Sequence, residues 1–396
     1  MSRTDADVAI QGAGMVGLAL AAALARSGLR VMLLDNGRLP HWQVEHYGRR
    51  VCAVNLASER LLRALGVWEA LQRISPFRAI RVWDPLGGGH IAFDAADLGE
   101  PHLGHIIENE LIRSVLQQSI SALSGVQMRM PACIQELEPG DEAVTLRLTD
   151  GSRLTVALVV GADGARSAIR GLLGIPARCA SYAQKAIVAA IRTALPHDEI
   201  ARQWFLPGGP LAFLPLANGR CSIVWSLPIA QAQARLALDE VAFCKALTHG
   251  SAGRLGDVLE VGERSAFPLQ RLHAARYCTE RAALVGDAAH VIHPLAGQGV
   301  NLGFQDAAVL AKVVIDAKRR GRDIGGRLAL RRYERARRGE NLLMEWSMEG
   351  FHRLFTPGQP SLARLRSLGL GVTHRVGLAK RIFMRRAIGS GASILP

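Results

Sequence analysis

The sequence has no uninterrupted apolar run of the roughly 18 residues that a bilayer-crossing helix needs, which excludes a membrane-spanning reading. Its six cysteines (Cys52, Cys133, Cys179, Cys221, Cys244 and Cys278) are scattered and form no C-x-x-C pair, so buried thiols in a reducing, cytoplasmic setting are expected. Internal repeats and low-complexity linkers are absent. Acidic residues are in short supply: 34 Asp+Glu face 48 Lys+Arg, leaving a net charge of +14. No nucleic-acid recognition motif accompanies that excess, so nucleic acid is not an expected partner. What remains is 49% apolar and 21% charged over 396 residues, the composition of a globular chain long enough for two or three domains.

The basic excess is concentrated late. Between Arg331 and Arg386, 13 Lys+Arg stand against 4 Asp+Glu. Such a stretch fits a solvated helix face, an anionic membrane surface or an acidic partner protein. Early in the chain, Ala13 to Ala25 is apolar enough to resemble a signal-peptide core. Asp5 and Asp7 before it and the glycines within it favour a nucleotide-binding helix instead.

Residues 7–12 form an apolar strand that runs into Gly12-Ala13-Gly14-Met15-Val16-Gly17. An Ala- and Leu-rich helix over 15–27 and a second strand from Leu29 to Asp35 complete a βαβ unit. Gly12 permits the tight turn, Gly14 lets backbone approach a pyrophosphate, and Gly17 allows close helix–strand packing. The helix start offers free N–H groups and a positive dipole end to phosphate. Asp35, 18 residues past Gly17, is placed to accept ribose hydroxyls. This unit alone does not separate FAD from NAD.

Two further segments do. Leu158-Val159-Val160 delivers Gly161-Ala162-Asp163-Gly164 into a turn, and a strand over 282–286 delivers Gly286-Asp287 to a helix start. Asp287 would meet the hydroxyls of a ribityl chain, which a nicotinamide dinucleotide lacks. Gly297-Gln298-Gly299-Val300-Asn301 would set backbone N–H groups against the electron-rich edge of a flavin. Between these segments lie helical spacing over Arg49–Leu71, strands within 80–93, a helix over 109–123, and strands over 126–137, 143–149 and 153–160. More strand-like sequence follows from Lys185 to Leu227, then a helix over 231–248, a strand near 261–267, and mostly helix from Gln305 onward.

The expected fold is α/β, with a Rossmann-type FAD-binding domain interleaved with a β-sheet substrate domain and followed by C-terminal helices. The first domain takes residues 1–78, 102–180 and 270–350, and the second 79–101 and 181–269. Residues 351–396 form a basic helical tail.

Further segments carry a resemblance over nearly the whole chain. They are Arg50-Val51-Cys52-Ala53-Val54-Asn55, Leu65-Gly66-Val67-Trp68, His102-Leu103-Gly104-His105-Ile106-Ile107-Glu108-Asn109, Ala212-Phe213-Leu214-Pro215-Leu216, Ser222-Ile223-Val224-Trp225-Ser226-Leu227, and His293-Pro294-Leu295-Ala296-Gly297 through Phe304. With them the sequence resembles the ubiquinone-biosynthesis branch of the class A flavoprotein aromatic hydroxylases. The His102–Asn109 segment and Glu349-Gly350-Phe351 are most similar to the 2-polyprenylphenol hydroxylase acting at ring position C5.

The resemblance implies FAD as cofactor, NAD(P)H or a partner reductase as electron donor, O2, and oxygen transfer to a phenol through a flavin C4a-hydroperoxide. It implies that Arg50 and Asn109 contact the cofactor, although relatives carry the longer Arg or Gln at the second position, and that Pro294 packs on the flavin's reactive edge. Arg50 could instead cap a neighbouring helix, and Asn109 could be a helix N-cap. A sheet bearing Phe205, Phe213, Val224 and Trp225 would wall a hydrophobic prenylated phenol, and core packing explains the same residues. His290 and His293 tempt as acid–base groups but lack a metal-site spacing, and no metal is expected. Cys52 reads as an inert buried thiol. The tail residues Arg375 and Lys380 to Arg386 fit peripheral attachment to an anionic inner-membrane face or to partners in a biosynthetic complex. Two rivals stay open: a hydroxylase of a soluble aromatic acid, and a flavin-binding assembly subunit.

Overall fold

The structure is a computed structural model that describes residues 4–37, 42–45, 47–48, 50–85, 88–293, 297–355 and 388–389. Its helices are α1 (Met15–Arg26), α2 (Leu56–Ala64), α3 (Asn109–Ser121), α4 (Ala168–Leu172), α5 (Ile229–Leu236), α6 (Glu240–Gly250), α7 (Gly299–Arg319) and α8 (Arg327–Phe355). Pro294 and the tail residues Arg375 and Lys380 to Arg386 lie outside the described residues.

The first sheet has a parallel centre. Strands Ala282–Leu284, Arg153–Gly161, Ala6–Gln11, Val31–Leu34 and Val126–Arg129 lie side by side, all parallel. Parallel strands covered on both faces read as continuous apolar runs, and Val8, Ala9, Ile10, Leu158, Val159 and Val160 are all buried. Helices α1, α3 and α7 pack together over this sheet, and the Ala- and Leu-rich α1 is buried from Gly17 to Leu24 because it is enclosed on every side. The strands Ile134–Pro139 and Val144–Leu148 extend the sheet through the hairpin at Asp150-Gly151, where Gly151 takes φ 82°.

The second sheet has nine strands. Its centre is the 17-residue strand Ala177–Thr193, paired antiparallel with Cys221–Pro228 on one side and Ser265–Ala274 on the other. Gly209–Pro215, Ile200–Leu206, Ala79–Asp84 and Gly89–Asp94 continue it outward. Helices α5 and α6 cover one face. A third sheet of Val51–Asn55, Gly104–Glu108 and Ile74–Phe77 lies against the other through Leu56, Phe77, Leu103, Ile106, Ala201 and Leu216.

Three expectations about local structure change. Helical spacing over Arg49–Leu71 conceals a strand, Val51–Asn55, before α2 begins at Leu56. Its alternating Val51 and Ala53 face away from Cys52 and Val54, and pairing with Gly104–Glu108 makes strand the lower-energy state. The single helix expected over 231–248 is two, because Asp239 caps a new start by accepting the Ala242 N–H at 2.7 Å. The basic segment from Arg331 is also not all solvated. Arg337 is buried, with 2% of its side chain exposed.

Candidate active site

The three glycine-bearing segments, scattered over nearly 300 positions, meet at one place. The Gly12 N–H donates to Leu34 O at 2.7 Å and the Ala162 N–H donates to Gln11 O at 2.8 Å, tying the first segment to the second. A Cβ on Gly12, whose φ is 113°, would lie 2.3 Å from Ala162 O, and one on Gly17 would lie 1.9 Å from Gly12 O. Both glycines are therefore required by the fold itself. The third segment closes on both others: the Val285 N–H donates to Gly161 O of the second at 2.9 Å, and a Cβ on Gly303 would press to 2.6 Å from Val16 of the first.

Gly14 is different. Its φ of −76° and ψ of 176° suit any residue, and a Cβ there would meet no described heavy atom within 4 Å. Among the described residues nothing demands glycine at this helix start, which leaves its amides open to an approaching group. Asp35 lies beside it, accepting the Ala13 N–H at 2.6 Å on one oxygen and the Gly37 N–H at 2.6 Å on the other. Arg113 of α3 donates to Ala13 O at 2.7 Å and braces the turn from outside.

Asp287 is accessible to solvent, yet surrounding protein desolvates it and raises its carboxyl pKa, with His290 and Arg50 pulling the other way. An accessible but desolvated carboxyl lines a hollow, not an outer surface. Arg50 is exposed near it, its guanidinium 4.7 Å from the Phe267 ring centre. The Asn109 N–H donates to Arg50 O at 3.0 Å, and Asn109 is the first residue of α3, not its N-cap. Asn109 Oδ1 is buried with no hydrogen-bond partner among the described residues. An orphaned buried acceptor is costly and calls for a donor.

Other expected site residues turn their side chains to the protein. The Asp163 carboxylate accepts from Ser167 Oγ at 2.5 Å, the Ala168 N–H at 2.7 Å and the Ile169 N–H at 3.2 Å, anchoring α4. Asn301 is fully buried. Its Oδ1 accepts the Asn55 N–H at 3.1 Å and Ser58 Oγ at 2.7 Å, and its Nδ2 donates to Ala53 O at 2.8 Å. It clamps the start of α7 to α2 and the strand before it. Gly297 takes φ 60°, and its Cβ would lie 3.1 Å from Ala53. Gln298, Gly299 and Val300 are half-buried at the same α7 start.

His290 is buried with Nε2 2.5 Å from Asp306 Oδ2, and His293 is buried with its ring 4.7 Å from the Tyr182 ring. Burial pushes the Cys52 thiol up to about 12, against a smaller pull from Arg50, so it stays protonated.

The residues expected to wall the substrate divide between two faces. Leu211 pairs with Trp225 and Phe213 with Ile223, and these side chains share the face packed on Phe243 and Leu247 of α6. Phe213 and Trp225 are therefore core residues behind the sheet, a correction to their expected role. Ala212 pairs with Val224 on the opposite face. Phe205 also points there, with Ile91, Val82 and Phe93. The physical reason is the two-residue strand period, which sends neighbours to opposite sides.

Sequence reading missed a buried network behind Gly286-Asp287. Asp306 Oδ2 accepts the Gly286 N–H at 3.0 Å, and its Oδ1 accepts Arg337 Nε at 2.8 Å and Asn341 Nδ2 at 3.1 Å. Burial raises the Asp306 pKa, but the charges and hydrogen bonds of His290 and Arg337 outweigh it and hold the carboxyl at about 2. A lone acid within the apolar run Phe304–Leu310 was the available signal. Nothing distinguished Arg337 from its solvated neighbours.

Residues 5–345 match the FAD binding domain family. The chain is 36% identical over 392 residues to the 3-demethoxyubiquinol 3-hydroxylase of Escherichia coli, across 98% of this chain and 100% of that protein. It is 38% identical over 386 residues to the ubiquinone hydroxylase UbiL of Rhodospirillum rubrum, across 97% and 90% of the two. Its fold also follows that of p-nitrophenol 4-monooxygenase from Pseudomonas putida, with a TM-score of 0.79 over 98% of this chain and 99% of that one at 18% identity. Fold and site together define an FAD-dependent aromatic-ring monooxygenase. The chain belongs to the flavin hydroxylase family that contains the ubiquinone-biosynthesis enzymes. Its residues fit that cofactor: Gly14 leaves the helix start open, Asn109 presents an unmatched acceptor, and Asp287 is an accessible carboxyl close to Arg50.

Proposed function

We propose that this protein hydroxylates the aromatic ring of a polyprenylphenol in ubiquinone biosynthesis, at C5, using O2 and electrons from NAD(P)H. The end-to-end match to a relative named for hydroxylating a ubiquinol ring carries the pathway and the reaction, while position C5 rests on the resemblance of the His102–Asn109 and Glu349–Phe351 segments. When bound, reduced FAD activates O2 and supplies one oxygen atom to an electron-rich ring carbon.

The chain's own residues bind, orient and exclude water. The amide groups at Gly14, Val16 and the start of α1 receive the pyrophosphate, and Asp35 accepts ribose hydroxyls beside them. Asp287 accepts hydroxyls from the linking chain, and Gly286 lets the backbone turn there with φ 59°. Arg50 and Asn109 hold the cofactor from the third sheet's side. Gly297, Gln298, Gly299 and Val300 present backbone N–H groups to the ring, with Asn301 and Asp163 fixing the loops by their side chains. Phe205 and Val224, with Leu214, form the dry wall against which a prenyl tail lies. With the chain divided at 1–78, 102–180 and 270–350 against 79–101 and 181–269, the cofactor would lie between the two sheets.

We also infer attachment to an anionic membrane surface through α8, where Trp346 and Leu343 are 70% and 46% exposed on a helix that also exposes Arg332 and Arg335 about two to four turns away. Among the described residues, no helix is long and apolar enough to cross a membrane.

Deleting the protein from its host and identifying the accumulated quinone precursor by mass spectrometry tests the reading. A polyprenylphenol without added ring oxygen supports C5. Accumulated demethoxyubiquinone supports a second reading, favoured by the name of the Escherichia coli relative, in which the later ring position is the target. Unchanged quinone pools in a host without a second such hydroxylase would overturn both.

A further inference from the structure

Outside the cofactor hollow, Glu59 of α2, His102 in the loop before strand Gly104–Glu108, and His105 on that strand point their polar atoms at one another. His102 Nε2 lies 2.9 Å and His105 Nδ1 lies 3.2 Å from the same oxygen, Glu59 Oε2. All three ligand-type atoms fall within 4.8 Å of one another. The His105 contact does not meet hydrogen-bond geometry, and Nδ1 is fully buried with no hydrogen-bond partner among the described residues. It is a lone pair or proton aimed into the cluster with nothing properly placed to meet it.

We propose that Glu59, His102 and His105 form a binding site for one divalent transition-metal ion, of which Zn2+ is the best match. A tetrahedral zinc with nitrogen and carboxylate ligands at about 2.1 Å holds those atoms roughly 3.4 Å apart, so the two Glu59 contacts, at 2.9 and 3.2 Å, must lengthen slightly and the two ring nitrogens, within 4.8 Å of each other, must settle to the same spacing. One carboxylate and two imidazoles suit a borderline dication better than Mg2+ or Ca2+, which favour oxygen ligands. On binding, the ion replaces the protons that the rings turn toward Glu59, and each neutral ring keeps its proton on the far nitrogen.

The surroundings orient the ligands as an outer shell does. Arg63 Nε donates to the other Glu59 oxygen at 3.0 Å, and Arg63 is itself paired with Glu69. The edge of Trp68 rests on the His105 ring at 5.0 Å. With 19% of its side chain exposed, His102 connects the cluster to solvent, from which a fourth ligand would come. No metal signature is legible in the sequence because the ligands come from a helix, a loop and a strand. Occupied, the site would cross-link α2 to the strand that leads into Asn109.

The test uses the FAD-loaded protein after chelator treatment and dialysis, titrated with Zn2+ by calorimetry and with Co2+ by visible absorption on the long-wavelength side of the flavin band. The expected result is one equivalent bound with Kd of about 10 µM or tighter, a raised Tm, and Co2+ bands of a four-coordinate site. His102→Gln sits at a partly exposed position that tolerates change. It should weaken binding roughly 100-fold while FAD content stays the same, and His105→Gln should do likewise. No binding by the wild type, or equal binding by a folded His102→Gln variant, would overturn the assignment.

Discussion

Replacing Gly14 with valine separates the demand of the fold from the demand of the cofactor. The backbone there already has φ and ψ that valine adopts, and the new Cβ meets no described atom within 4 Å. Loss of apoprotein stability should be limited to the weaker helix-start preference, about 1 kcal/mol. The same side chain fills the space through which a pyrophosphate must approach the α1 amides. Losing one or two charge-assisted hydrogen bonds at about 1.5–3 kcal/mol each gives a deficit near 3 kcal/mol, or roughly 100-fold in FAD Kd. Gly17→Ala supplies the contrast. Its Cβ would lie 1.9 Å from Gly12 O, so the turn itself must move and apoprotein stability should fall along with FAD binding. Flavin fluorescence titration gives the affinities, and denaturant unfolding of the stripped proteins gives the stabilities. Undiminished FAD affinity in Gly14→Val, or an apoprotein as unstable as that of Gly17→Ala, would refute the reasoning.

Asp306→Asn leaves the buried Arg337 with only the exposed Glu340 as charge partner and should cost about 3 kcal/mol of stability, measured by urea unfolding. Combining it with Arg337→Met should recover part of that loss, since the orphaned charge is gone. The Asp306 carboxyl is held near 2, below its ordinary value of 3.8, so the stabilisation is complete above about pH 4 and disappears as pH falls toward 2. That amounts to about 2 kcal/mol of acid sensitivity, which a denaturation series at descending pH should show in the wild type and not in Asp306→Asn. Phe213→Ala should destabilise the protein by about 3–5 kcal/mol as a core deletion. Val224→Phe, on the other face, should instead raise KM for a prenylated phenol with Tm nearly unchanged.

Much of the cofactor cradle was legible in the sequence because backbone geometry writes itself there in glycine. Gly12 and Gly17 are fixed by contacts a few residues or one strand away, so their spacing carries the turn wherever it occurs. Membership of the sheet strands was likewise visible as apolar runs. The face a residue occupies was not. Phe213 and Val224 sit in strands that are apolar on both sides, and only the packing of α5 and α6 on one face decides which side is core and which borders the hollow.

Partnership at long range belongs to tertiary structure alone. Asp306 and Arg337 are 31 positions apart, and Glu59 meets His102 and His105 more than 40 positions away. A charged residue's chemistry depends on what desolvates it and what stands opposite. Local pattern sets helix, strand and turn, whereas burial and the choice of partner arise only when those elements close on one another.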